Sequence, residues 1–148
     1  MSEREKTGNP PAQLRNYDSV GDFQSVKQNL EEAGIFWEEW EGETKPRRRS
    51  RGYPDSIIVA VVGTQVVGSV FLVDDFFPYA FRLVVKEEFR GRGIGSQLMD
   101  EAEKRAKDHR HMDLAILVDD DDPELQAWYE KRGYHKEHAY RSMWKELT

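Results

Sequence analysis

The chain has 148 residues, which suits one domain with one hydrophobic core. Its 22 Lys and Arg residues against 28 Asp and Glu residues leave a formal net charge of −6, which argues against general affinity for nucleic acid or an anionic membrane. Cysteine is absent, which excludes disulfides, thiolate metal sites and an acyl-cysteine intermediate.

The first residues, MSEREKTGNPPA, are polar and contain prolines where a secretory signal would have an apolar core. The sequence therefore predicts a disordered tail over residues 1–12 and a single domain over residues 13–148. No segment approaches the roughly 20 apolar residues of a membrane span. These features favour a cytoplasmic protein that does not bind membranes.

Apolar runs predict strands, and apolar residues at helical spacing predict helices. In chain order the strands are expected at 13–17, in a hairpin within 55–75, at 79–85, at 113–118 and as a closing pair within 134–147. Helices are expected at 22–34, directly after the glycines that follow residue 90, and from Asp122 to Gly133. Asp122 is a good N-cap residue for the last helix, and Pro123 fits its first position. This order of elements indicates an α+β fold.

The region from 35 to 55 has no clear period. A short helical piece is expected around FWEEW at 36–40, and the basic run KPRRRSR at 45–51 is expected to form a flexible, solvated loop. One alternative function is an adaptor that binds protein or nucleic acid through this basic loop, although an acidic chain offers little basic surface to nucleic acid.

Residues 89–96, FRGRGIGS, place three glycines between a strand and a helix. Glycine lets the backbone turn sharply or approach a ligand, and the N–H groups at a helix N-terminus are a ready site for phosphate. A P-loop is excluded because no lysine follows the glycines. The dinucleotide fingerprint GxGxxG would need Ser96 as its third glycine, and a hairpin precedes the motif where that fingerprint needs a βαβ unit.

Three motifs occur in a fixed order along the chain. Leu83-Val84-Val85 ends a strand, and the segment from Arg90 to Gly95 then follows the pattern [RQ]-x-x-G-x-[GA]. Further on, DPELQAWYEKRGY at 122–134 is close to the pattern N-x-x-A-x-x-F-Y-x-x-x-G-F. Together these motifs resemble those of the Gcn5-related N-acetyltransferase (GNAT) family. The resemblance covers nearly everything from Gln13 to Leu147.

The resemblance implies a mixed, mostly antiparallel central sheet of about six to seven strands flanked by helices, in the order β-α-α-β-β-β-α-β-α-β-β. It implies an enzyme, an N-acetyltransferase that moves an acetyl group from acetyl-CoA to a primary amine of a small molecule or peptide by direct attack in a ternary complex. Family members splay the fourth and fifth strands apart, and their two closing strands often pair between subunits, so a homodimer is a further expectation.

Each motif has a role in the family. The backbone N–H groups of the glycine loop bind the pyrophosphate of acetyl-CoA, and the strand before it pairs with the pantetheine arm. A backbone N–H near Val85 stabilises the oxyanion, and Tyr129 protonates the departing thiolate. The implied catalytic residue is therefore Tyr129, and the implied cofactor-binding residues are Leu83, Val84, Val85, Arg90, Gly91, Arg92, Gly93, Ile94, Gly95, Ser96 and Asp122.

The chain departs from the family pattern at several places. Asp122 replaces the usual asparagine, and a helix cap explains it at least as well as a ligand contact does. Trp128 and Tyr134 replace phenylalanine, which affects packing. The pair Lys86-Glu87 stands where the family often has x-Pro.

The general base, the acceptor amine and the range of acyl groups are not readable from the sequence. Tyr79, Phe81 and Leu117 occupy positions where relatives carry Glu or His, so a water relay or direct proton loss to solvent is expected. The two histidine pairs, at 109 and 111 and at 135 and 138, lack a carboxylate pattern, and no metal is expected. A catalytically idle acyl-CoA-binding module is a second alternative, because it would share every cofactor residue with the enzyme.

Overall fold

The computed structural model describes residues 10–36, 43–74 and 76–147. The chain divides into two compact units, residues 1–116 and 117–148. In its described residues the first unit contains five strands and three α-helices, in the order β1 (Gln13–Asn16), α1 (Phe23–Glu32), α2 (Thr44–Gly52), β2 (Ile57–Val62), β3 (Gln65–Asp74), β4 (Pro78–Val85), α3 (Ile94–Asp108) and β5 (Ala115–Ile116). The second unit contains helix α4 (Pro123–Lys131).

The five strands form one sheet in the order β1-β2-β3-β4-β5. Strands β1 to β4 are antiparallel neighbours, as the predicted hairpin requires, whereas β5 runs parallel to β4. Gly63 lies in the turn between β2 and β3 with φ +63°, a left-handed conformation that favours glycine. The meander before the glycine loop is thus confirmed.

The side chains of β2 alternate between the two faces of the sheet and are buried on both. Ile57 and Val59 belong to one hydrophobic cluster with Val26 and Leu30 of α1. Residues of the opposite parity, Ile58 and Ala60, are fully buried on the other face, and α3 also packs against β2, β3 and β4. This packing fixes α3 on the sheet, and so fixes the glycine loop at its N-terminus.

The part of the chain that the structure describes forms a sheet of five strands, where six to seven were predicted. Residues 134–147 form no strand in the described part of the second unit, and the strand predicted at 113–118 is only two residues long. Alternating sequence favours an extended backbone, but a strand also needs a hydrogen-bonded neighbour, which local sequence does not encode.

The flexible loop predicted for the basic run 45–51 is wrong, because this run lies within helix α2. Lys and Arg have good helix propensity, and the apolar period is missing because Pro46 is the one buried residue among those of the helix. Arg49 Nη2 donates to the Leu72 carbonyl of β3 at 2.5 Å, which ties the helix to the sheet.

Some predictions fall on residues that the structure does not describe. These are most of the predicted tail and nearly all of the helical piece at 36–40. Within residues 10–36, 43–74 and 76–147, no helix is long and apolar enough to cross a membrane.

Candidate active site

The glycine loop follows β4 after one turn of 3-10 helix, Glu87–Phe89. Gly91 and Gly93 have φ angles of +76° and +80°. These left-handed conformations form a sharp turn, and a side chain would strain both residues. The glycines predicted to permit a sharp turn therefore do so.

Helix α3 begins at this turn with its first N–H groups outside the helical ladder. Gly93 is the N-cap residue, and no side chain among residues 10–36, 43–74 and 76–147 caps the helix. The first helical hydrogen bond joins Gln97 N–H to the Gly93 carbonyl at 3.0 Å. The N–H groups of Ile94, Gly95 and Ser96 precede that bond, so they have no partner within the helix. Donors at the positive end of a helix dipole bind phosphate groups.

Ile94 and Gly95, two of the predicted loop residues, already belong to helix α3. Ile94 is 3% exposed, so its side chain belongs to the hydrophobic core. Gly95 lies inside α3 without a positive φ, unlike Gly93. The strain argument therefore applies to Gly91 and Gly93, whereas for Gly95 only the close approach of a ligand would require glycine.

The two loop arginines are held beside the turn. Arg90 Nε donates to the Val85 carbonyl at 3.0 Å. The Arg92 guanidinium lies 4.9 Å from the centre of the Phe89 ring and donates to the Glu88 carbonyl at 3.3 Å. Both cationic groups therefore lie next to the open end of α3, where they favour an anion.

Strand β4 loses its β5 neighbour before it reaches the glycine loop. Its pairing with β5 joins only Tyr79 to Ala115 and Ala80 to Ile116. Just beyond, Arg82 has φ +55°, and the register with β3 shifts, which marks a bulge. The predicted pantetheine strand, residues 83–85, thus lies past the point where β4 and β5 part. Val84 is buried in the hydrophobic cluster, so its side chain serves the core.

In the second unit, Tyr129 is 7% exposed within a group of aromatic rings. Its ring contacts those of Trp128 and Tyr134 edge-on, with centroids 4.8 and 5.4 Å away. Burial raises the pKa of Tyr129 to about 12, and the positive charge of Arg132 opposes the shift. The phenol is therefore fully protonated near neutral pH, but it is a weaker acid than an ordinary tyrosine.

Asp122 caps helix α4. Its Oδ1 atom accepts the Leu125 N–H at 3.0 Å, and Pro123 occupies the first turn. The capping role predicted for Asp122 is confirmed, whereas its contact with a ligand stays a prediction.

Comparison with known proteins decides the family. The model of the acetyltransferase (GNAT) domain matches residues 54–136, more than half of the chain. The chain belongs to the GNAT acetyltransferase family. Family membership makes it an acyl-CoA-dependent N-acyltransferase.

Individual GNAT relatives agree with this assignment. An acetyltransferase of Pectobacterium atrosepticum is 30% identical over 114 residues, which cover 76% of this chain and 81% of that protein. The PaiA N-acetyltransferase of Thermoplasma acidophilum, solved in complex with coenzyme A, has a TM-score of 0.74 at 22% identity and covers 87% of this chain and 92% of its own. Ard1 of Thermoplasma volcanium has a TM-score of 0.73 at 22% identity, with 83% and 82% covered.

Sequence reasoning missed one contact of the GNAT loop. Glu32, the last residue of α1, accepts the Glu87 N–H at 2.9 Å and the Lys86 Nζ at 3.3 Å. The backbone hydrogen bond from Glu87, followed by the hydrogen bond from Lys86, holds the pKa of Glu32 below its usual value. The departure Lys86-Glu87 was the one local signal, but nothing in the sequence connects it to residue 32.

No carboxylate or imidazole occupies the positions at which a GNAT general base was sought. Tyr79 is half-buried and its ring lies 5.9 Å from that of Phe77, while Phe81 and Leu117 are exposed. The general base of this acetyltransferase is therefore unassigned.

The histidines at the end of α3 join a polar cluster with two carboxylates. His109 contacts Asp55 through Nε2 at 2.8 Å and Asp74 through Nδ1, and His111 also contacts Asp74. This cluster ties the end of α3 to the end of β3. Among the described residues of this GNAT chain, no group of three or more His, Cys, Asp or Glu residues has the arrangement to hold a metal ion.

Proposed function

We propose that this GNAT protein transfers an acetyl group from acetyl-CoA to a primary amine of a small molecule or peptide, within a ternary complex. The observation that carries the proposal is the open N-terminus of α3, preceded by two glycines in left-handed conformations. Backbone N–H groups from Gly91 to Ser96 would bind the pyrophosphate, with Arg90 and Arg92 adding positive charge.

Beyond its last pair with β5, the edge of β4 has no strand neighbour among the described residues, so we propose that the pantetheine arm of acetyl-CoA binds there. Residues 83–85 lie beyond the last β4–β5 pair, and the amides of a pantetheine arm can pair with a strand edge. An N–H near Val85 would then stabilise the oxyanion of the thioester carbonyl. Asp122, which uses one carboxylate oxygen as a cap, has the other for a contact with this arm.

The absence of cysteine supports direct attack, because it excludes an acyl-cysteine intermediate. The amine nitrogen bonds to the thioester carbon, the C–S bond then breaks, and the thiolate takes the proton of the Tyr129 hydroxyl. The amine nitrogen loses its proton to water as the C–N bond forms, and water returns a proton to the Tyr129 phenolate. The pKa of Tyr129 is about 12, whereas a fully hydrated CoA thiol has a pKa of about 8.5. Proton transfer from Tyr129 to a hydrated thiolate would therefore be unfavourable in free energy. Removal of the sulfur from water raises the pKa of the thiol and so reduces this difference.

The acceptor class stays broad in this proposal. The basic run, which could have bound an anionic acceptor or partner as a flexible loop, lies on α2, and Arg49 of that helix bonds to β3. We therefore do not propose an adaptor function. A cytoplasmic location and a homodimer remain parts of the proposal.

The proposal is tested by calorimetric titration with acetyl-CoA, followed by an amine panel in which free thiol is measured. We expect a dissociation constant of about 1–100 μM, within the common range for enzymes and their substrates, and thiol release with at least one amine. Binding without thiol release from any acceptor would favour the idle acyl-CoA-binding module. No binding would refute the proposal.

A further inference from the structure

Glu32 forms a link between two elements that are far apart in the sequence. It ends α1, whereas its partners, Lys86 and Glu87, lie 54 and 55 residues further on, between β4 and the glycine loop. One carboxylate oxygen accepts the Glu87 backbone N–H, and the other lies against the Lys86 ammonium group. We call this set, Glu32, Lys86 and Glu87, the loop clamp.

The loop clamp acts where the chain leaves the sheet. Lys86 N–H still donates to the Val67 carbonyl of β3 at 2.7 Å. The next two bonds close the 3-10 turn, from Phe89 N–H to the Lys86 carbonyl at 2.8 Å and from Arg90 N–H to the Glu87 carbonyl at 3.1 Å. Between these bonds, the Glu87 N–H is directed to the Glu32 carboxylate. Glu32 therefore holds the first residue of the turn that leads into Gly91.

We propose that Glu32 is a positioning residue for acyl-CoA binding, because the loop clamp holds the glycine loop in the shape that accepts the pyrophosphate. This inference rests on the proposed function, since it assumes that acetyl-CoA binds at the start of α3. A loop that is ordered before the ligand arrives loses less conformational freedom on binding, and binding is tighter by that difference. The low pKa of Glu32 keeps the carboxylate charged near neutral pH.

The sign of the effect separates positioning from simple electrostatics. Acetyl-CoA is anionic, so removal of a nearby negative charge by itself would strengthen binding. Loss of the loop clamp instead weakens binding. We expect Glu32→Ala to weaken acetyl-CoA affinity by about 2- to 12-fold, the net effect of one solvent-exposed hydrogen bond. Glu32→Gln keeps an oxygen for the Glu87 N–H and should restore most of the affinity.

A proline at position 87 provides an independent test. It removes the N–H that Glu32 accepts, and it fixes φ at the first position of the turn, where proline is favoured. Lys86 already has φ −53° and ψ 135°, which suits the residue before a proline. In a Glu87→Pro background the turn no longer depends on that hydrogen bond. Glu32→Ala should then change affinity by less than about twofold, because the two changes are coupled.

The experiment compares acetyl-CoA affinity and melting temperature in the full chain for wild type, Glu32→Ala, Glu32→Gln, Glu87→Pro and the Ala/Pro double variant. Glu31→Ala is the matched control, because Glu31 lies on the same helix and pairs with Lys27 at 3.8 Å. It should bind acetyl-CoA as wild type does.

Each outcome decides between the two proposals. If wild type does not bind acetyl-CoA, the proposed function fails and the inference fails with it. If wild type binds and Glu32→Ala binds equally well or more tightly, the inference alone is overturned. An undiminished effect of Glu32→Ala in the proline background also overturns it. Should Glu87→Pro not fold, rescue by Glu32→Gln at an equal melting temperature supports the inference, and its absence refutes it.

Discussion

Helix α4 closes its own N-terminus, whereas helix α3 leaves its N-terminus open. At α4, the Asp122 carboxylate accepts the Leu125 N–H, and Pro123 contributes no N–H at all. At α3, the N-cap residue is Gly93, which has no side chain to offer. A capped helix end stabilises the fold, while an uncapped one keeps its donors available for a ligand.

The absence of a cap does not by itself mark a binding site. Helix α1 also lacks a side-chain cap, but its N-cap residue, Asp22, is buried and bonded to Arg15 at 2.6 and 2.9 Å and to the Asp18 N–H at 2.7 Å. The start of α3 differs from it by its left-handed glycines and by the adjacent arginines. The combination of backbone shape and positive charge distinguishes the start of α3, which we propose as the acetyl-CoA site, from the other two helix starts.

The largest effect is expected when a side chain is added at the open N-terminus of α3. Gly93→Val would strain a residue with φ +80° and place a β-branched side chain beside the free N–H groups. Acetyl-CoA affinity should fall by about 10²- to 10⁴-fold, as expected for loss of two charge-assisted hydrogen bonds, and turnover should fall with it. Calorimetry and circular dichroism measure binding and folding.

Gly63→Val is the control for backbone strain. Gly63 has φ +63° in the β2–β3 turn, and an added Cβ there would meet nothing within 4 Å. It should lower the melting temperature without changing acetyl-CoA affinity. Equal affinity losses in the two variants would mean that strain, rather than the ligand site, explains the effect of Gly93→Val.

The second prediction concerns Tyr129 of α4, the proposed general acid. Tyr129→Phe keeps the ring contacts with Trp128 and Tyr134. If Tyr129 is the general acid, kcat should fall by about 10²- to 10⁴-fold while acetyl-CoA affinity and melting temperature stay unchanged. A decrease in kcat of less than about threefold would mean that solvent protonates the sulfur.

The raised pKa of Tyr129 adds a pH dependence to this prediction. Since the phenol loses its proton only near pH 12, kcat in wild type should show no alkaline decrease due to Tyr129 at pH 9 to 10. Such a decrease centred near pH 10 in wild type, absent from Tyr129→Phe, would contradict the buried environment seen for this phenol.

The third prediction concerns removal of the N-cap of α4. Asp122→Ala should lower stability by about 1 kcal/mol, because it removes the N-cap. Asp122→Asn keeps a good cap and should retain stability. If the other carboxylate oxygen contacts the pantetheine arm as proposed, Asp122→Ala should weaken acetyl-CoA affinity by more than about threefold, and Asp122→Asn should restore most of it. A change of less than about threefold in Asp122→Ala would limit Asp122 to its capping role.

The smallest effect is expected from Tyr17, the matched control for Tyr129. Burial raises the pKa of Tyr17 to about 12, as it does for Tyr129, and among the described residues its hydroxyl has no hydrogen-bond partner. Tyr17→Phe should leave kcat unchanged and alter stability near neutral pH by less than about 1 kcal/mol. Chemical denaturation and turnover assays measure the two quantities.

Tyr17 also contributes to stability at alkaline pH. Above pH 10 the unfolded chain releases the phenol proton, whereas the folded chain holds it until about pH 12. The contribution is fully present below pH 10 and is lost as the pH rises toward 12. Wild type should lose stability over this range more steeply than Tyr17→Phe. Parallel stability curves would show that Tyr17 ionises equally in both states.

Local signals in the sequence were sufficient to predict the elements that define the family. Glycines at 91 and 93 predicted the sharp turn, and Asp122 with Pro123 predicted the start of α4. The β2–β3 hairpin and the helix after the glycines were likewise predicted from apolar period and turn residues. Such features depend on residues within a few positions of each other, so their physical causes can be read directly from the chain.

Tertiary structure alone decided the features that depend on distant partners. The bulge at Arg82 and the early end of β5 leave residues 83–85 of β4 without a β5 partner in the described structure. The residue types at these positions do not predict either feature. Glu32 reaches Glu87 only because α1 packs against β3 and β4. The pKa of Tyr129 likewise depends on burial. Local sequence specifies conformation, whereas the hydrogen-bond partner and the degree of solvation of a group are set by residues that folding brings near.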